Sequence, residues 1–248
     1  MLLADQTRPH PFWPSRAPFE HRLQARAHHD HRVLDARQAL RPVHLESFGV
    51  DVLPLVPGLT DRLAEGIDVM DTGCRSGRAL SFLARKFPNS RFVGYDFSEE
   101  AISRAWVEAE ERGARNVRFE VRDVADLGEE DKYDLVTTFD AVHDQAKPAA
   151  VLRGIAAALR GDGVCLMQDI AGSSYLQNNM DHPLGPFMYT VSTMPCMTVF
   201  LTQGGEGLGT TWGEEKATEM LKDAGFGEVE VKRLPHDFQN SYYVAKQG

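Results

Sequence analysis

The sequence predicts an α/β fold: a seven-stranded, mainly parallel sheet with helices on both faces and an antiparallel strand pair at its C-terminal end. Three observations predict it. Short apolar runs and helix-period segments alternate from residue 67 to 225, the order that yields right-handed βαβ units. A glycine-bearing turn, from Gly73 to Gly77, directly follows the first run. Two further strand-like runs close the chain, near enough to each other to pair antiparallel.

Residues 67–71 read as a buried strand ending in Asp71, after which Ala79, Leu80, Phe82, Leu83 and Phe87 recur at helical spacing. Residues 91–96 form the second strand. Ser98 suits the N-cap of a helix over 99–112, with Glu99 and Glu100 at its positive end and Gly113 as its C-cap. Residues 117–121 and 133–138 are the third and fourth strands. Pro148 belongs in the first turn of the next helix, whose apolar face is Val151, Leu152, Ile155 and Leu159 and which Gly161 closes. Residues 164–169 are the fifth strand. Thr211 and Glu214 have capping-box spacing at the start of a helix to about Ala224. Residues 228–234 and 241–246 complete the sheet.

The chain of 248 residues, 42% hydrophobic and 25% charged, has the balance of a soluble globular protein and no apolar run long enough to span a membrane. Its start lacks a secretory signal, and Cys74, Cys165 and Cys196 are too widely spaced for a CxxC pair; both features fit the cytoplasm. A net charge of -9 argues against nucleic acid as a general partner, since phosphate binding needs a basic face. The charge is uneven. Residues 1–48 carry seven Arg, no Lys and five acids, and six of the nine histidines precede residue 45. Residues 1–46 therefore read as an N-terminal extension, with a thinly apolar helix over about 20–40, and residues 47–248 as the folded domain. His28, His29, Asp30 and His31 could share a helix face, but no second cluster completes a metal site, and a solvated polar segment is expected.

In parallel sheets, ligands bind beyond the carboxyl ends of the strands, so function belongs in the loops that follow them. A dinucleotide site would want G-x-G-x-x-G there. Instead Gly73 and Gly77 stand four apart, Arg75 occupies the middle glycine's place, and Asp71 leads the loop. A carboxylate at that point repels a pyrophosphate but suits a cationic ligand. S-adenosylmethionine, with a sulfonium, an ammonium and no phosphate, fits this chemistry better than the cofactor of a dinucleotide oxidoreductase, which stays as the lesser alternative.

On these residues the chain resembles class I S-adenosylmethionine-dependent methyltransferases, over roughly residues 50–248. Val69-Met70-Asp71-Thr72-Gly73-Cys74-Arg75-Ser76-Gly77 is similar to their first motif, Gly94-Tyr95-Asp96-Phe97-Ser98 to the second and Arg122-Asp123-Val124-Ala125 to the third. The resemblance implies a Rossmann-like fold and S-adenosylmethionine as cofactor. It also implies a cofactor site of Asp71, Gly73, Cys74, Arg75, Gly77, Asp96, Phe97, Asp123, Val124 and Phe139, with Asp96 on the ribose hydroxyls and Asp123 on the adenine amine. The alternative is that Asp96 caps the next helix and Asp123 starts a turn. Arg75 departs from the pattern. Either its backbone keeps an ordinary φ with the side chain outward, which is the expectation, or its guanidinium pairs with the methionyl carboxylate.

Residues 139–148, 181–187 and 203–207 further resemble a bacterial methyltransferase subgroup that carries a dimerising N-terminal winged-helix domain and acts on small molecules. The 46 residues ahead of the folded domain are too few for that domain, which is expected to be truncated or replaced; a homodimer stays open, without that route to it.

On the acceptor side, His143 and Asp144 follow the fourth strand, beside the expected methyl position, and His143 can act as a base or acceptor-orienting group. His182 is a second candidate. An insertion over 172–211, far longer than an ordinary connection, is expected to cover the acceptor, with Phe187, Met188, Tyr189, Met194, Met197 and Phe200 as adaptable apolar surface and the following glycines as a hinge. The reading is an enzyme methylating a partly apolar small molecule. Its rival is a non-catalytic module that binds S-adenosylmethionine or S-adenosylhomocysteine.

Overall fold

The computed structural model describes residues 48–182, 184–192 and 208–248. Helices α1 (Leu59–Glu65), α2 (Arg78–Lys86), α3 (Glu99–Arg112), α4 (Pro148–Ala158), α5 (Gly185–Val191) and α6 (Gly213–Asp223) are interleaved with seven strands. These are β1 (Asp68–Thr72), β2 (Arg91–Asp96), β3 (Val117–Val121), β4 (Tyr133–Phe139), β5 (Leu159–Ile170), β6 (Phe226–Leu234) and β7 (Asp237–Gln247). One sheet contains them in the order β3-β2-β1-β4-β5-β7-β6. Strands β1 to β5 run parallel, and β7 is antiparallel to both its neighbours. The order reverses between β1 and β4, so a crevice for a ligand opens beyond their carboxyl ends.

Alternate residues of β1, β2, β4 and β5 feed opposite layers of core, as the pleat requires. Val69, Phe92, Leu135 and Leu166 join Leu80, Leu83 and Ile102 of α2 and α3 on one face. Met70, Val93, Val136 and Met167 join Leu152, Ile155 and Leu221 of α4 and α6 on the other. Phe48, Val52 and Leu53 belong to the first layer, so the core includes the first of the described residues.

The expected caps of α3 form: Ser98 Oγ accepts from the Ala101 N–H, and Gly113 takes the left-handed conformation. Two expectations fail. Helix α4 ends at Ala158, and Leu159 opens β5 opposite Tyr133, so Gly161 lies within a strand instead of closing the helix. A register shift between Tyr133 and Leu135 absorbs this early start. The capping box at Thr211 and Glu214 does not form either, because tertiary partners claim both side chains. Thr211 bonds Ser192, while Glu214 accepts from Arg233 and Ser241. The proposed helix over 20–40 and the His28–His31 cluster lie outside the described residues.

Candidate functional site

Loop 73–77 is stitched to β2 by its own backbone. The Gly73 and Cys74 amides donate to the Tyr95 carbonyl at 2.8 and 3.0 Å, and the Gly77 amide closes the turn on Cys74 O at 2.8 Å. Gly77 has φ +65°, and a Cβ there would stand 2.5 Å from the Phe119 ring and 2.8 Å from Ala105. A Cβ on Gly73 would stand 2.5 Å from that of Ala141, so the loops after β1 and β4 touch at this point. Only glycine permits both approaches.

The acids at the strand ends converge on this loop. Asp71 is buried at the end of β1 and accepts from the Thr137 hydroxyl of β4 at 2.7 Å. Burial pushes its carboxyl up to about 7; the Thr137 bond opposes the shift, and the charge of Asp96 adds to it. Asp96, at the end of β2, is 6% exposed, and burial raises it too. Its Oδ1 accepts from the Ser98 N–H and its Oδ2 from the Arg75 N–H, both at 2.9 Å. Cys74 is buried beside these acids, and its thiol is pushed up by burial and by the charges of Asp71 and Asp96.

Arg75 departs from its expected conformation. Its φ is +51°, the left-handed region that its glycine-like place demands. Its side chain does not point outward. The guanidinium crosses to the loop after β4, donates to the Asp140 carbonyl at 3.2 Å and lies 3.8 Å from Asp144 Oδ2. Asp140 is itself left-handed, at φ +45°.

Phe97, next to Asp96, is 64% exposed and offers an open ring face. Asp123 Oδ1 accepts from the Ala125 N–H at 2.9 Å and so starts the turn at Val124, which is buried. The turn-starting reading of Asp123 thus holds for that oxygen. Phe139 is partly buried, with Phe48 set edge-on against it at 5.1 Å.

His143 is 4% exposed and lies between two carboxylates. Its Nδ1 is 2.7 Å from Asp169 Oδ1, and its Nε2 is 3.3 Å from Asp144 Oδ1. Asp140, His143 and Asp169 form a buried set whose polar atoms lie within 4.8 Å of one another. Sequence reasoning passed over Asp140 and Asp169. The signal for Asp169 was present, since it is an acid at a strand end like Asp71 and Asp96. His182 is not placed in this group: its amide donates to Asn179 O, and its Nδ1 accepts from the Leu184 N–H at 3.2 Å, both local contacts. In the insertion, Met188 is buried beside Gly172 at the end of β5, and Phe187 is half exposed. Met194, Met197, Phe200 and the hinge glycines lie outside the described residues.

Five acids, Asp71, Asp96, Asp140, Asp144 and Asp169, thus gather at the carboxyl ends of the strands, around the Arg75 guanidinium and the His143 imidazole. That field disfavours a pyrophosphate and favours a ligand carrying positive charge.

Comparison with known proteins identifies the family and the fold. A family profile described as a methyltransferase domain matches residues 63–225. Among solved structures, an O-methyltransferase family protein from Burkholderia thailandensis superposes with a TM-score of 0.57 at 16% identity, covering 86% of this chain and 62% of that one. The CurJ carbon methyltransferase gives 0.60 at 14%, covering 86% and 57%. A SAM-dependent methyltransferase from Aquifex aeolicus gives 0.58 at 18%, covering 86% and 96%. At such identities the likeness establishes the fold. The chain spans only about half to three fifths of the length of several such proteins. A search of curated proteins returned no match. No helix among the described residues is long and apolar enough to cross a membrane. The profile covers well over half of the chain, which belongs to the methyltransferase-domain family.

Proposed function

We propose that this protein binds S-adenosylmethionine in the loop 73–77 and directs its methyl group to a small, partly apolar acceptor. The observation that carries the reading is the convergence of Asp71 and Asp96 on a loop whose field suits a cation and not a phosphate. The donor set fits the cofactor. After accepting from Arg75 and Ser98, the Asp96 carboxylate retains lone pairs for two ribose hydroxyls. Asp71 supplies negative charge for the ammonium or sulfonium. Phe97 presents a ring for the adenine, and Asp123 keeps a second oxygen for its amine. Val124 and Phe139 supply apolar walls, and Gly73, Cys74 and Gly77 shape the backbone around the methionyl part.

S-adenosylmethionine supplies a methyl group already activated on sulfur, so the protein's task is to hold the acceptor in line and exclude water. His143 sits in the loop after β4, beside the crevice, and its Nε2 takes the proton of an oxygen or nitrogen acceptor. Asp144 is within reach of both Arg75 and His143 and can turn toward the guanidinium as an acceptor reaches Nε2. His182 is left outside the chemistry. The residues of 172–211 cover the acceptor with adaptable apolar surface.

A screen of metabolite extracts with methyl-labelled S-adenosylmethionine tests the reading. Label should enter a small molecule, and Asp96→Ala should abolish the transfer. Label confined to protein or nucleic acid would exclude the small-molecule acceptor. Tight binding without any transfer would favour the non-catalytic module.

A further inference from the structure

We infer that Asp169 is a positioning residue: it holds the Nδ1 side of His143 and so makes Nε2 the nitrogen that meets the acceptor. The inference rests on the methyl-transfer reading of the site, but its evidence is separate. Two donors converge on one oxygen. Asp169 Oδ1 accepts from the Ile170 N–H at 2.8 Å and lies 2.7 Å from His143 Nδ1. An oxygen that already accepts a backbone amide is an acceptor toward the imidazole as well, so Nδ1 carries the proton and donates. In the neutral ring only one nitrogen is protonated, which leaves the Nε2 lone pair for the substrate.

The surroundings enforce this arrangement. Asp169 is fully buried at the end of β5, and no hydrogen-bond partner is found for its Oδ2 among the described residues. At 0% exposure the carboxylate is shielded from bulk solvent. Tyr243, on the neighbouring strand β7, is held protonated by burial and by the charge of Asp169. On the other side, Nε2 faces Asp144, which also lies within 3.8 Å of Arg75. Arg75, Asp144, His143 and Asp169 thus form a chain of polar side chains from the cofactor loop to β5.

The set of Asp140, His143 and Asp169 invites a metal reading, which the spacing disfavours. Two ligands at right angles on a first-row ion keep about 2.9 Å between them, from bonds of about 2.05 Å each. The Nδ1 to Oδ1 distance of 2.7 Å is that of a direct hydrogen bond.

The test reads the proton itself. Long-range proton–nitrogen spectra of the 15N-labelled full chain report the tautomer of each imidazole, and His143→Gln assigns the His143 signals. In the wild type, Nδ1 should be protonated whenever the ring is neutral. Asp169→Asn keeps an acceptor in place and should preserve that tautomer. Asp169→Leu should shift His143 toward the Nε2-protonated form while the dissociation constant for S-adenosylmethionine changes less than threefold. Should Asp169→Leu fail to fold, the wild type and Asp169→Asn decide. A neutral His143 protonated on Nε2 in the wild type would overturn the assignment. So would an unchanged tautomer in folded Asp169→Leu, or selective broadening of Nδ1 by stoichiometric Mn2+. Once an acceptor is known, Asp169→Leu should lower kcat by about a hundredfold or more with KM little changed. Loss of donor binding in the wild type would sink the methyl-transfer reading and leave the tautomer result standing.

Discussion

The backbone amide of Arg75 donates to the Asp96 carboxylate at 2.9 Å while its guanidinium reaches the Asp140 carbonyl at 3.2 Å. One residue thus ties the loop after β1 to the ends of both β2 and β4. Its left-handed φ of +51° is the strained element of that tie. Arg75→Gly should relax the backbone and leave the melting temperature within a few degrees of wild type. The substitution also removes the tie from the cofactor loop to Asp140 and Asp144, and with it a cation that could face the methionyl carboxylate, so the dissociation constant for S-adenosylmethionine should rise about tenfold. Tighter binding by calorimetry would mark the side chain as an obstruction instead.

Asp71 gives the site a pH dependence. Its carboxyl is raised by burial from 3.8 to about 7, so the fold prefers it neutral. The unfolded chain releases that proton at lower pH, and stability is therefore lost as pH rises from about 4 to 7, with the full cost present above that. Asp71→Asn removes a cost of roughly 2–4 kcal/mol at most. Thermal melts should show the variant gaining stability over wild type at pH 8 and losing that advantage at pH 4. A cationic ligand favours the charged form, so S-adenosylmethionine should bind wild type more tightly at pH 8 than at pH 6, and Asp71→Asn should flatten the difference. Equal effects of the substitution at both ends of the range would contradict the assignment.

Gly77→Ala adds a methyl where Phe119 and Ala105 already stand, on a backbone with φ +65°. Both overpacking and strain oppose it, and together they should cost about 2–4 kcal/mol. A chemical-denaturation midpoint equal to that of wild type would show that the loop can yield.

Much of this was legible in the sequence. The alternation that predicts the parallel sheet survives because the central strands β1, β2, β4 and β5 lie between two apolar layers, and local rules govern Ser98, Gly113 and Pro148. Failures arose where tertiary contacts outbid local ones. Thr211 and Glu214 have a cap's spacing but bond across the fold, and Leu159 has helical spacing but pairs with Tyr133. In the site, Asp71, Asp96 and His143 could be chosen because strand ends locate ligands. Asp169 stood at a strand end as well, but its role depends on His143 lying 26 residues earlier in the chain. No periodicity reports such a partner. The path of the Arg75 side chain is likewise a property of the folded loop after β4.

His143→Gln keeps a polar side chain but removes the base. With an oxygen or nitrogen acceptor at saturating cofactor, turnover should fall by about a hundredfold to ten-thousandfold. The dissociation constant for S-adenosylmethionine should stay within threefold. Equal turnover would reduce His143 to a packing residue.

The central claim is that the edge of the sheet between β1 and β2 is an S-adenosylmethionine site, and titration calorimetry tests it most directly. Wild type should bind S-adenosylmethionine and S-adenosylhomocysteine with one-to-one stoichiometry and should show no heat with NADH. Asp96→Ala should weaken both adenosyl ligands at least tenfold, the loss expected when two charge-assisted hydrogen bonds go. Folded wild-type protein that binds neither adenosyl ligand would contradict the account.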